Sequence, residues 1–283
     1  MFEFLDTLVN HGFMQNTIII GLLASVACGV MGTYVVVKRI VFISGGISHA
    51  VLGGMGVAYY YGYNPIYGAV VSAIIAAVVI GLVSVRYHQH EDTIIGALWA
   101  IGMAVGILFI YRTPGYSVDL MSYLFGNILM VERESVYLLA SLDALIVILV
   151  FLFYKRFLAV CFDEEYSQLQ GIGVVTTYLL LLCLIALTVV ILIQVVGIIL
   201  VIALLTLPAA TARYYARSLI QMMIIASLLG AVFTISGLIV SYEPNLPAGA
   251  TIILIAGLAY LLASISKGFA SRFRAHRDRS ATP

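Results

Sequence analysis

The chain has 283 residues, 63% of them hydrophobic and 10% charged, with a formal net charge of +1 and a mean hydropathy of +1.12. A soluble domain carries about 25% charged residues, so this composition excludes a water-exposed globular protein; the net charge by itself says nothing about partners, and no nucleic-acid partner is expected. Three scattered cysteines, Cys28, Cys161 and Cys183, with no C-x-x-C spacing, argue against a disulfide framework or a thiolate metal site.

Apolar segments occupy residues 16–37, 44–62, 65–85, 93–111, 136–154, 175–193, 198–212, 219–240 and 249–267. Many approach the ~20 residues that cross a bilayer as a helix, and none shows the ~10-residue alternation of a transmembrane barrel. The fold class is therefore all-α, a polytopic transmembrane helical bundle of 8 or 9 spans. The lower count applies if a span beside the short connection "YYYGYNPI" is re-entrant. The opening "MFEFLDTLVNHGF" carries Glu3 and Asp6 and no early Lys or Arg, unlike a cleavable secretory signal.

The first segment places Gly21, Ser25, Gly29 and Thr33 at i, i+4 spacing, and the second places Gly46, Ala50 and Gly54 likewise. Such small-residue stripes let helices approach closely. The second segment begins "SGGISHAVLGG", with Ser48 and His49 among residues of almost no side chain. A neutral imidazole is a common transition-metal ligand, and an ionisable group in a span usually faces a cavity or a partner. A histidine hydrogen-bonded to a neighbouring helix is the other reading. Gly45 and Gly46 also permit a broken helix with free carbonyls, as in many transporters.

Asp143, in "LLASLDALIVILV", is the second ionisable residue within a predicted span. It fits a path-lining acid, or a carboxyl paired with a hydroxyl of another helix. Gln194 falls at a predicted outer turn between two spans. Asp119 and Asn127 fall in the outer connection "GYSVDLMSYLFGNILMVERES", which suits a short re-entrant or surface helix or a docking loop.

The inner connection "YKRFLAVCFDEEYSQLQGIGVVTTY" opens with Asp163, Glu164 and Glu165; Tyr166 to Gln170 read as a short helix that Gly171 and Gly173 can end. Acids in a first turn suit the helix dipole, and glycine suits the position past the last turn.

Twelve of the fourteen basic residues fall in alternate connections: Lys38, Arg39, Arg86, Lys155, Arg156, Arg213, Arg217, Lys267 and the tail arginines. The positive-inside rule makes that side cytoplasmic, with the C-terminus inside and the N-terminus outside. The organisation expected is one transmembrane domain over residues 1–267, an inner loop at about 155–174, and a basic cytoplasmic tail over 268–283. No G-x-x-x-x-G-K-[ST] loop, H-E-x-x-H or G-x-S-x-G is present. The chain is thus not expected to be an enzyme, and its energy must come from an ion gradient or a separate subunit.

Four stretches, in order, carry a family resemblance: "GLLASVACGVMGTYVVVKRIVFISGGISHAVLGG", "LFGNIL", "FDEEYSQLQGIG" and "VGIILVIALLTLPAATAR", spanning residues 21 to 213. The chain resembles the permease subunit of bacterial ABC importers for divalent transition metals, the zinc, manganese and iron uptake branch, related to type II importer permeases. The resemblance implies a homodimer in the bacterial cytoplasmic (inner) membrane. The implied partners are a cytoplasmic ATPase subunit that binds ATP and an extracytoplasmic metal-binding protein. No permanent cofactor is implied; the transported divalent metal is the cargo. Asp163, Glu164, Glu165 and Gly171 correspond to the coupling helix that contacts the ATPase. Gly197 and Pro208 lie in the span bordering the path, with Pro208 ending or kinking it. Ser48 and His49 belong to the translocation path, together with Gly45 and Gly46.

One departure matters. Many members read Gly-Asp-x-x-x-His in the second span, where both side chains reach one cation; here Gly45 stands where the acid is expected. Manganese, which favours oxygen, loses a ligand there, and zinc, ferrous iron or a chelate become as plausible, with Asp143 the candidate for the missing charge. A proton-coupled carrier using His49 or Asp143 is the alternative, and a membrane scaffold a third reading.

Overall fold

Apolar segments in a solvent without hydrogen-bonding capacity must satisfy every backbone group internally, and helices do so within one segment. The computed structural model describes residues 10–86, 91–113, 133–244 and 246–280. Within them lie α1 (Gly12–Val37), α2 (Val41–Tyr60), α3 (Pro65–Arg86), α4 (Glu91–Arg112), α5 (Arg133–Phe162), α6 (Glu164–Leu169), α7 (Val174–Val196), α8 (Ile198–Ala212), α9 (Leu219–Tyr242) and α10 (Ala248–Ser280). No strand occurs among the described residues.

Eight of these helices are long and apolar enough to cross a membrane. The short one is α8, whose 15 residues rise only about 22 Å. The connection "YYYGYNPI" therefore does not mark the odd span, because α2 and α3 on either side of it are both full length. The irregularity sits instead at Gly197, with φ 79° and ψ 162°, a region essentially closed to residues with a side chain. One glycine thus turns α7 into α8, between the buried Val196 and Ile198. Gln194 belongs to α7 rather than to an outer turn; its side chain lies outside the described residues. Pro208 sits inside α8, which runs four residues past it to Ala212, so this proline does not end the helix.

The predicted stripes do different jobs. On α1, a Cβ on Gly21 would lie 2.6 Å from Thr234 Cγ2, Gly29 meets Ser227, and Gly230 of α9 meets Ser25. The pairings run in opposite chain directions, so α1 and α9 are antiparallel. Gly32 lies against the Leu205 carbonyl of α8. On α2 the small residues divide between two neighbours. Gly46, Gly53 and Gly56 face Ile95, Gly102 and Gly106 of the parallel α4, while Gly54 faces Gly68 and Ser72 of the antiparallel α3.

The corner between α1 and α2 is made by Arg39 in the left-handed region, φ 62°, with the Ile40 N–H donating to the Val35 carbonyl at 2.9 Å. Glycine normally fills that position. The interior is apolar; Tyr34 and Phe157, among its largest buried side chains, meet edge to face at 5.6 Å. Two expected boundaries move. The helix of α5 continues through Lys155 and Arg156 to Phe162, and α10 continues through the basic stretch to Ser280.

Candidate functional site

His49 lies on α2, which is unbroken through Gly45 and Gly46. Eight residues of helix place it about 12 Å from the Val41 end. The two glycines serve close approach instead of a break: a Cβ on Gly46 would lie 2.6 Å from Ile95 Cγ2, and one on Gly45 would lie 3.3 Å from Trp99 Cζ3. His49 is only 9% exposed. Its ring stacks on Trp99 of α4, with centroids 4.1 Å apart and planes 13° from parallel. Its Nδ1 is buried with no hydrogen-bond partner among the described residues. The reading in which the ring is hydrogen-bonded to a neighbouring helix therefore finds no support at that nitrogen. Ser48, one residue earlier, donates its hydroxyl to the Ser44 carbonyl at 2.8 Å.

Asp143 is 4% exposed on α5, and neither carboxyl oxygen has a hydrogen-bond partner among the described residues. Its electrostatic neighbour is Cys28 of α1, whereas His49 faces α4. Among the described residues no three His, Cys, Asp or Glu side chains converge as a metal cage. An unpartnered buried polar group costs about 1–3 kcal/mol, so each of these two groups calls for an explanation. His49 lies on α2 and Asp143 on α5.

The segment after α5 is built tightly. Asp163 caps α6, its Oδ1 accepting the Tyr166 N–H at 2.8 Å, and Glu164 and Glu165 occupy the first turn. The helix covers Glu164–Leu169, starting two residues before the expected Tyr166. Gly171, with φ 72°, reverses the chain. The Gly171 N–H donates to Gln168 O at 3.0 Å and the Ile172 N–H to Ser167 O at 3.0 Å, the paired bonds of a Schellman ending. Ser167 anchors the helix inward, while Tyr166 and Leu169 point outward, 54% and 86% exposed.

Lys38, at the end of α1, ties this unit to the bundle. Its Nζ donates to the Val160 carbonyl at 3.1 Å, pairs with Glu164 and lies 5.6 Å from the Tyr178 ring centroid on α7. Lys38→Ala should lower stability by about 1 kcal/mol or less, as expected for a partly exposed ion pair, while loosening α6. Denaturation of the purified chain and proteolysis between residues 155 and 174 would check this; unchanged cleavage there would remove the tie.

The sequence marked Lys38 only as a topology signal, and it did not single out Trp99. The available signal for Trp99 was its being the chain's sole tryptophan, placed inside an apolar run and not at its end. The stretch "LFGNIL" and residues Asp119 and Asn127 lie outside the described residues.

Comparisons with known proteins agree with this architecture. The family model described as ABC 3 transport family matches residues 10–267. The chain is 45% identical over 266 residues to the "Probable metal transport system membrane protein" of Chlamydia pneumoniae, covering 90% of this chain and 91% of that one. It is 33% identical over 285 residues to the manganese transport system membrane protein MntC of Halalkalibacterium halodurans, covering 99% and 98%. Among solved structures, PsaBC from Streptococcus pneumoniae in complex with Fab matches with a TM-score of 0.83 at 34% identity, covering 92% of this chain and 94% of that one.

Proposed function

The chain belongs to the ABC 3 transport family, and from that premise we propose that it is the membrane-spanning permease subunit of an ATP-driven importer that carries a divalent transition metal into the cell. The geometric observation that carries the reading is α6, a one-turn helix fixed at both ends with Leu169 standing free. A helix held that rigidly with an apolar side chain exposed is a docking element. Its partner in this reading is a cytoplasmic ATPase subunit, since the chain carries no phosphate-binding loop. ATP binding there would shift the permease between outward- and inward-open packings.

The remaining partners follow from the same reading. A second copy of the chain would complete the path against the face of α8 formed by Ile199, Ile202, Ala203, Thr206, Leu207 and Ala210, the partly exposed side of a helix otherwise buried. An extracytoplasmic metal-binding protein would deliver the cargo. The basic ends, with Lys38, Arg213 and the α10 extension, face the cytoplasm by the positive-inside rule, in the bacterial inner membrane. His49 is the ligand offered to the passing cation, with Ser48 beside it, and Asp143 is a further buried acid of the path. Gly45, Gly46, Gly197 and Pro208 shape the helices around the path. Manganese is in the names of three relatives, and zinc and iron belong to the same proposal.

The test is metal uptake by vesicles containing the chain, its ATPase and its binding protein, with and without ATP. His49→Ala should lower uptake by more than about tenfold, the scale at which even outer partners of metal ligands register, and Asp143→Asn should leave a different residual activity. Uptake that needs no ATPase and follows a proton gradient would establish the carrier alternative instead. Wild-type transport by both variants would remove both residues from the path.

A further inference from the structure

We propose that Trp99 sets the cation selectivity of the path by holding the His49 imidazole in place and by lying against position 45, from which an oxygen ligand would come. The inference rests on the metal-permease reading and adds a residue that the family motifs do not contain.

A histidine that binds a metal through one ring nitrogen is ordinarily oriented by a hydrogen bond at the other. His49 Nδ1 has no such partner among the described residues, so that orienting role falls to the stack. Rings 4.1 Å apart and 13° from parallel fix the plane of the imidazole, and a cation bound by a ring nitrogen lies in that plane, clear of the indole face. The indole is steadied in turn by Phe42, with ring centroids 5.9 Å apart.

The same indole lies over Gly45, where a Cβ would approach Cζ3 to 3.3 Å. A side chain at position 45 therefore begins in contact with the indole, which has to give by a few tenths of an ångström to admit its Cβ. The Ser48 hydroxyl donates to Ser44 O and is turned to its own helix. What this level of α2 presents to a cation is thus a nitrogen donor on a fixed plane, with the lone pairs of the Ser48 hydroxyl beside it and no carboxylate on that helix among the described residues. Nitrogen donors suit zinc and ferrous iron better than manganese, which stands at the weak end of the divalent series and favours oxygen.

The experiment compares zinc and manganese in competition during ATP-driven uptake, using the complete transporter with wild-type, Trp99→Phe, Trp99→Ala and Trp99→Ala/Gly45→Asp chains. Wild type and Trp99→Phe, which keeps an aromatic ring on His49, should prefer zinc. Trp99→Ala should lose about 10- to 100-fold in zinc uptake at low metal, and the double variant should move the preference toward manganese. An unchanged zinc-to-manganese ratio in Trp99→Ala, or equal losses in Trp99→Phe and Trp99→Ala, would overturn the role of Trp99. A wild-type preference for manganese would overturn it as well, whereas a wild-type transporter that moves neither of these metals nor ferrous iron would overturn the permease reading instead.

A second measurement does not depend on how well the alanine variant folds. Trp99 is the only tryptophan of the chain, so indole emission from the full chain in detergent reports on this stack alone. Zinc should change the emission of wild type and leave that of His49→Ala unchanged. Emission indifferent to zinc in the wild type would also overturn the proposal.

Discussion

Leu169→Asp is expected to abolish ATP-driven uptake while leaving the chain folded and inserted. Leu169 is 86% exposed on α6, and the supports of that helix lie elsewhere: the Asp163 cap, the buried Ser167 and the turn at Gly171. A surface change away from such supports usually stays within about 0.5 kcal/mol of wild type. At an interface the same position is an apolar anchor, and truncating an anchor of that kind costs about 2 kcal/mol or more of binding. A carboxylate there also adds charge beside Glu164 and Glu165. The measurements are membrane yield, copurification with the ATPase subunit, and uptake. A Leu169→Asp chain that copurifies and transports like wild type would mean that α6 is an ordinary surface turn. Loss of yield together with uptake would mean that the helix matters to folding instead.

Gly54→Leu should fail earlier, at assembly. Gly54 and Gly68 approach so closely that a Cβ on either would strike the other's carbonyl oxygen. Overpacking a core with side-chain neighbours costs about 1–3 kcal/mol. Here the obstacle is backbone on a second helix, which cannot rotate out of the way as a side chain does, so α2 and α3 must separate. Leucine at Gly96 or Gly257 provides the control, because nothing lies within 4 Å of a Cβ at either position. Both controls should accumulate in the membrane as wild type does. Equal accumulation of Gly54→Leu would show that the contact between α2 and α3 is dispensable.

Hydropathy alone locates the nine apolar helices among the described residues, because a bilayer imposes length and composition at once. It already shows residues 198–212 as the shortest run, with the bounds that α8 has, but not that the single residue Gly197 turns α7 into it, since apolar residues look the same whether lipid or protein covers them. The small-residue stripes also reveal close approach but not the partner. Gly21 and Gly29 read α9, whereas Gly46 and Gly54, on one helix, read α4 and α3. His49 is visible as a polar residue in an apolar run. What orients it is not visible, because Trp99 lies fifty residues away and is brought to it only by the parallel packing of α2 on α4. The break that Gly45 and Gly46 permit does not occur, for a related reason. Those glycines meet the demand for a near neighbour, and the helix keeps its hydrogen bonds.

Between α2 and α4 the contact is backbone on backbone at Gly53 against Gly102 and at Gly56 against Gly106. Two helices meeting in that way have no intervening layer of side chains whose rotamers could let one slide along the other. They are expected to move as one body when the bundle rearranges. His49 and Trp99, one on each helix, would then keep the same mutual geometry whichever side of the membrane the path opens to, and selection would act on both entry and exit.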